Sequence, residues 1–75
     1  MAPLKVRFGR TVRRLRERTG CSQERFADSI SVHRTYIGSI ERGQSNPSLD
    51  VIRRIARGLS LPISRLFEEV EAETG

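Results

Sequence analysis

The sequence predicts an all-α fold of five short helices, and three observations predict it. Apolar residues recur at spacings of three and four in five separate stretches, the period of one helix face. Between those stretches stand glycine, serine, asparagine and proline, which cap helices and take turn conformations. The chain has 75 residues, enough for one domain (1–75) and near the lower limit for a self-sufficient core. Hydrophobic content is 36% with no tryptophan, so the core is thin and a second copy could supply part of the stability.

Met1 to Leu4 is expected to be loose, with Pro3 near the first helical turn. From about Lys5 to Thr19 runs an amphipathic helix in which Phe8, Val12 and Leu15 repeat at four and then three. Its outer face carries Arg10, Arg13, Arg14, Glu17 and Arg18, and Gly20 is a good left-handed cap. Ser22 is the N-cap candidate for a second helix; Arg25 at the third helical position leaves no capping box. Phe26 and Ile30 share one face of that helix, with the small Ala27 between them where a crossing helix can approach closely.

A turn follows at Ser31–Val32–His33, then a third helix on which Ile37 and Ile40 share one face. What faces out there is Arg34, Thr35, Tyr36, Gly38, Ser39 and Arg42. A short helix gains little from such a face unless the face binds something. Residues 23–43 therefore have the helix-turn-helix pattern, whose second helix docks in a DNA major groove. Arg34 and Thr35 lie in its first turn, the part that reaches base edges, and Ser39 lies four residues on from Thr35. Arginine is the commonest bidentate reader of guanine, and threonine offers a hydroxyl and a methyl. Tyr36 can bond a phosphate or pack sideways on the duplex, and Arg42 closes the helix where adjacent phosphates run. Gly38 gives clearance for a close approach.

The segment Gly43 to Ser48 is a loop by composition, in which Asn46 either binds a phosphate or only forms the turn before Pro47. Ser48 caps a fourth helix from Leu49 to about Leu59, with Ile52, Ile55, Ala56 and Leu59 facing the core and Arg53, Arg54 and Arg57 facing out. Pro62 opens a fifth, with a possible dimerisation helix at 62–72. Leu66 and Phe67 complete the core there. Ile63 and Val70, seven apart, form a self-complementary dimer patch or else a satellite of the core. Glu68, Glu69, Glu71 and Glu73 then run into a disordered end.

The net charge of +5 is unevenly placed. Residues 1–65 hold all 14 basic side chains and 5 acidic ones, whereas the last ten residues hold four glutamates. A basic body with an acidic tail suits a polyanion partner and a tail kept away from it. The one cysteine, Cys21, forms no intramolecular disulfide and no Cys-rich metal framework. With a single histidine and no acidic cluster at ligand spacing, neither metal nor cofactor is expected. Nothing supplies a nucleophile–base pair or a phosphate-cradling glycine loop, so the chain is not expected to be an enzyme or to take a small-molecule ligand. No long apolar run or signal pattern stands out, so the expectation is a soluble, cytoplasmic protein with no membrane partner.

Ser22-Gln23-Glu24, Ala27, Val32, Arg34 to Ile37, Ile40 to Gly43 and Asn46 to Leu49 together resemble the Cro/C1-type (Xre-like) helix-turn-helix family. The resemblance runs from about Phe8 to Phe67. Within that family, His33 to Gly43 is most similar to the controller proteins of restriction–modification systems. The resemblance implies a lambda-repressor-like fold and a transcriptional regulator that binds a pseudo-palindromic operator on double-stranded DNA. It further implies a homodimer whose recognition helices enter successive major grooves about 34 Å apart. It also implies an ion pair between Arg16 and Glu41, a phosphate contact by Gln23, and a neighbouring restriction enzyme and methyltransferase.

Five positions depart from the family pattern. Cys21 replaces a core aliphatic residue and Ser31 a glycine. His33 replaces a Ser or Thr cap, and either caps less well or sits against the DNA backbone. Gly58 and Ser60 invert the usual small-residue-then-glycine ending. A second function remains open, because the fold also serves as a protein-interaction or antitoxin-type module, and the acidic tail would suit a basic partner.

Overall fold

Five helices follow one another in the computed structural model, which describes residues 1–73: α1 (Leu4–Arg18), α2 (Gln23–Ser29), α3 (Arg34–Glu41), α4 (Leu49–Gly58) and α5 (Ile63–Ala72). The last two positions of the 1–75 domain lie outside the described residues. Local chemistry sets most of the starts. The Ser22 hydroxyl accepts from the Arg25 N–H at 3.1 Å and the Ser48 hydroxyl from the Val51 N–H at 3.2 Å, each satisfying an amide the helix cannot. Proline stands before α1 and α5 as Pro3 and Pro62.

Four helix exits pass through a left-handed residue: Gly20 (φ 79°), Ser31 (φ 57°), Gly43 (φ 74°) and Ser60 (φ 59°). The two serines pay a steric cost that glycine avoids. At the end of α4 the reason is visible two residues earlier. A Cβ on Gly58 would stand 2.6 Å from Ile30 Cγ2 and 2.9 Å from Phe26 Cε1. The glycine is spent on letting α4 approach α2, and the left-handed position falls to Ser60.

The core gathers Phe8, Val12, Phe26, Ala27, Ile37, Ile40, Ile55 and Leu66, all nearly or wholly removed from solvent. Helix α1 crosses α3 so closely that a Cβ on Gly9 would lie 2.1 Å from the Ile40 carbonyl oxygen. Phe67 tilts against Phe8 with ring centroids 5.7 Å apart, which docks α5 onto α1.

Three expectations change. Val70 has no exposed surface, so it belongs to the core and cannot be part of a dimer patch; Ile63, 43% exposed, stays available. Ile52 is only half-buried, because α4 turns it toward an open cleft with Pro47 and Phe67 rather than into the centre. The acidic end is not a free tail. Helix α5 continues to Ala72; Glu69, Glu71 and Glu73 fold back on the arginines of α1, whereas Glu68 pairs with Arg65 on α5 itself. Glu69 and Glu73 approach Arg14 at 3.3 and 3.7 Å, and Glu71 approaches Arg7 at 3.8 Å. Such half-exposed pairs are each worth little, but together they answer the charge asymmetry within the chain. Among the described residues no helix is long and apolar enough to cross a membrane.

Candidate nucleic-acid interface

Helix α3 is short, and its rigidity comes from beneath. Arg16 on α1 donates from Nε to Glu41 Oε2 at 2.7 Å and from Nη2 to Glu41 Oε1 at 3.0 Å. Its third nitrogen, Nη1, donates to the Cys21 carbonyl oxygen at 2.7 Å. The two side chains are only 8% and 1% exposed, so the bidentate pair is buried with its geometry satisfied. The hydrogen bond to Glu41 raises the Arg16 pKa further above its ordinary value, against the opposing pull of burial. One pair thus ties α1, the α1–α2 connection and the end of α3 together.

Gln23 joins the same cluster: its Nε2 donates to Glu41 Oε1 at 2.9 Å. One N–H of its amide is thereby engaged within the protein, which fixes the side chain that the resemblance expects at a phosphate. His33 caps α3, with Nδ1 accepting from the Thr35 N–H at 3.1 Å. The imidazole does the work that Ser or Thr would do, with the hydrogen-bonded nitrogen in its unprotonated form.

From that base Arg34 and Thr35 project exposed at the first turn of α3. The Arg34 guanidinium stands 3.6 Å from Glu24 on α2, a pair more than half exposed at both ends and free to open. Arg42 is exposed at the other end, its Nε donating to Gln44 Oε1 at 3.2 Å. Asn46 is exposed in the loop beyond. Tyr36 is half-buried against the core, so its ring is anchored sideways. Ser39 is half-buried too, its hydroxyl bonded to that of Ser45. Gly38 does not face solvent as expected. It is buried because the Arg42 and Gln23 side chains lie across it. A shallow cleft of about 250 Å3 results, lined by Gln23, Glu24, Arg34, Thr35, Gly38 and Arg42.

Sequence reasoning missed three supports of this face. Ser45 holds Ser39, Gln44 holds Arg42, and Arg54 donates from Nη1 to the Ser31 carbonyl oxygen at 3.2 Å, bracing the turn. Loop composition and helix period carry no signal for any of them. Among the described residues no group of three or more His, Cys, Asp or Glu could hold a metal ion.

Comparison with known proteins agrees with this geometry. A helix-turn-helix domain family matches residues 7–66. Control protein C.MunI of Mycoplasma sp is 45% identical over 74 residues, covering 97% of this chain and 100% of its own. The restriction–modification controller protein C.AhdI from Aeromonas hydrophila is 41% identical and superposes with a TM-score of 0.81, over 84% of this chain and 96% of that one. Controller protein C.Esp1396I, solved as a tetramer with its natural 35 base-pair operator, gives a TM-score of 0.88 at 27% identity, over 97% and 96%. Solved mutants of C.Esp1396I change an arginine, a threonine and a tyrosine at three consecutive positions, the order of Arg34, Thr35 and Tyr36 here. The chain belongs to the Cro/C1-type helix-turn-helix family, has its lambda-repressor-like fold, and is similar to its restriction–modification controller proteins.

Proposed function

We propose that the protein regulates transcription by binding a pseudo-palindromic operator on double-stranded DNA as a homodimer. The observation that carries this is the exposed Arg34–Thr35 turn on a helix immobilised by the buried Arg16–Glu41 pair. Preorganisation of that kind lowers the cost of docking a short helix in the major groove. Arg34 and Thr35 face base edges, Arg42 and Asn46 face phosphates, and Tyr36 packs beside the duplex. Ser39 has a smaller part, since Ser45 already engages its hydroxyl. The mechanism is steric and electrostatic: phosphate contacts set the register and α3 reads the bases.

The dimer face is a strip of apolar residues on α4 and α5. Leu49 (83% exposed) and the half-buried Ile52 are three apart on α4; Ile63 and the half-buried Phe67 are four apart on α5. Ile52 and Phe67 border one cleft, so the two pairs form a continuous surface suited to a second copy. The operator complex of C.Esp1396I supports association on DNA. Similarity to control proteins supports a role over neighbouring restriction and methyltransferase genes, which the sequence of the flanking DNA would test. The partner-binding alternative loses part of its support, because three of the four glutamates meant for a basic partner, Glu69, Glu71 and Glu73, pair with Arg7 and Arg14 instead.

The deciding experiment is selection of bound duplexes from a random pool at about physiological salt. An enriched inverted repeat is the expected result and measures the half-site spacing directly. Salt-sensitive binding without enrichment would reduce the protein to a nonspecific polycation and sink the reading.

A further inference from the structure

Gly38 stands inside α3, where glycine is a much poorer helix former than alanine. Packing of the core explains Gly9 and Gly58, whose added Cβ atoms would strike the α3 backbone and the Phe26–Ile30 side chains. It does not explain Gly38. There the nearest atoms to an added Cβ are the far ends of two side chains on the proposed DNA face, Arg42 Nη1 at 3.1 Å and Gln23 Oε1 at 3.6 Å.

The two side chains are held from opposite directions. Arg42 donates from Nε to Gln44 Oε1 at 3.2 Å, and among the described residues no carboxylate pairs with it. Gln23 is pinned by Glu41, itself gripped by Arg16. A carboxylate only accepts hydrogen bonds, so Gln23 must turn its NH2 group inward and leave its carbonyl oxygen over Gly38. A carbonyl oxygen repels a phosphate and attracts a guanidinium. The outer end of Gln23 therefore suits Arg42 better than it suits DNA.

We propose that Gly38 is a positioning residue for contact with the DNA backbone. Its missing side chain leaves the seat in which Arg42, walled by Gln23, is aimed at a phosphate. Gln23 acts on this contact through Arg42. The ligand is the phosphate of duplex DNA, and the inference rests on the DNA-binding function proposed above.

The test is Gly38→Ala, with thermal stability and affinity measured on the duplex enriched by selection across a series of salt concentrations. Stability is expected to hold or rise, since alanine favours helix. Affinity is expected to fall several-fold, and the slope of log K against log salt to shrink by up to about 0.9, the value of one phosphate. In an Arg42→Ala background Gly38→Ala is expected to change neither quantity further, because the seat is then empty. Unchanged affinity and slope in the single variant overturn the proposal. So does an equal loss in the Arg42→Ala background, and so does a less stable Gly38→Ala protein, whose glycine would be serving the fold. A wild-type protein that binds no duplex fails at an earlier step, and removes the DNA-binding function along with this inference.

Discussion

Arg16 and Glu41 lie 25 positions apart in the chain and are joined by two hydrogen bonds of 2.7 and 3.0 Å, with both side chains almost wholly buried. Their bond fixes the end of the recognition helix against α1 and holds Gln23 in the same cluster. Removing one partner leaves a buried charge unpaired, which typically costs about 3–5 kcal/mol. Arg16→Ala is expected to lose that much in denaturant unfolding, and Arg16→Ala with Glu41→Ala much less than the sum of the singles. Strict additivity would mean that the pair does not act as a unit. The pKa of Arg16 is raised by Glu41, so its contribution is present at neutral pH and is lost as pH climbs through the arginine range.

Gly58→Ala is expected to destabilise although alanine is the better helix former. The added Cβ would stand 2.6 Å from Ile30 Cγ2 and 2.9 Å from Phe26 Cε1. Overpacking of this kind costs roughly 1–3 kcal/mol. Thermal unfolding decides it, and a rise in Tm would show that α4 can back away from α2 at no cost.

Ser60→Gly is expected to act in the opposite sense. Ser60 holds φ 59°, a left-handed conformation that costs a non-glycine residue about 1 kcal/mol, part of which the greater freedom of unfolded glycine takes back. A small increase in the denaturant midpoint with an unchanged m-value checks this; a decrease would mean that the Ser60 side chain contributes more than its strain costs.

At Arg34 a side chain reading guanine predicts a loss of about 1–3 kcal/mol on the cognate duplex for Arg34→Ala, with specificity relaxed at one base pair. The comparison is between the selected duplex and single-base variants of it. Equal loss on every sequence would reassign Arg34 to the phosphate backbone.

The dimer face proposed on α4 and α5 predicts that assembly and folding can be separated. Ile63→Glu, at a 43% exposed position, is expected to leave the monomer folded and shift sedimentation toward it. Val70→Glu, at a position with no exposed surface, is expected to unfold the chain. A dimer undisturbed by both Ile63→Glu and Leu49→Glu would place the interface elsewhere.

Much of this protein is decided locally, and local facts are legible in a sequence. The five helices, the serine caps at Ser22 and Ser48 and the helix-turn-helix at 23–43 depend on neighbours within a turn or two, so spacing and capping chemistry were enough. The exposed turn of Arg34 and Thr35 follows from the apolar face that Ile37 and Ile40 must bury. What the tertiary structure decided involves partners far apart in the chain. Ile63 and Val70 lie on one face of α5 by helical period, yet burial also depends on position along the helix axis, and only Val70 is covered. The glutamates of α5 looked like a free tail because the arginines that receive them are some 55 positions earlier in the chain, as for Arg14 and Glu69. Gly38 looked solvent-facing because helical period cannot show that two long side chains, one from a different helix, lie across it. The sequence alone determined which helix carries the exposed Arg34–Thr35 turn proposed to meet DNA. How that helix is held, and which of its side chains remain free to reach a base or a phosphate, depended on contacts that exist only once the five helices have packed.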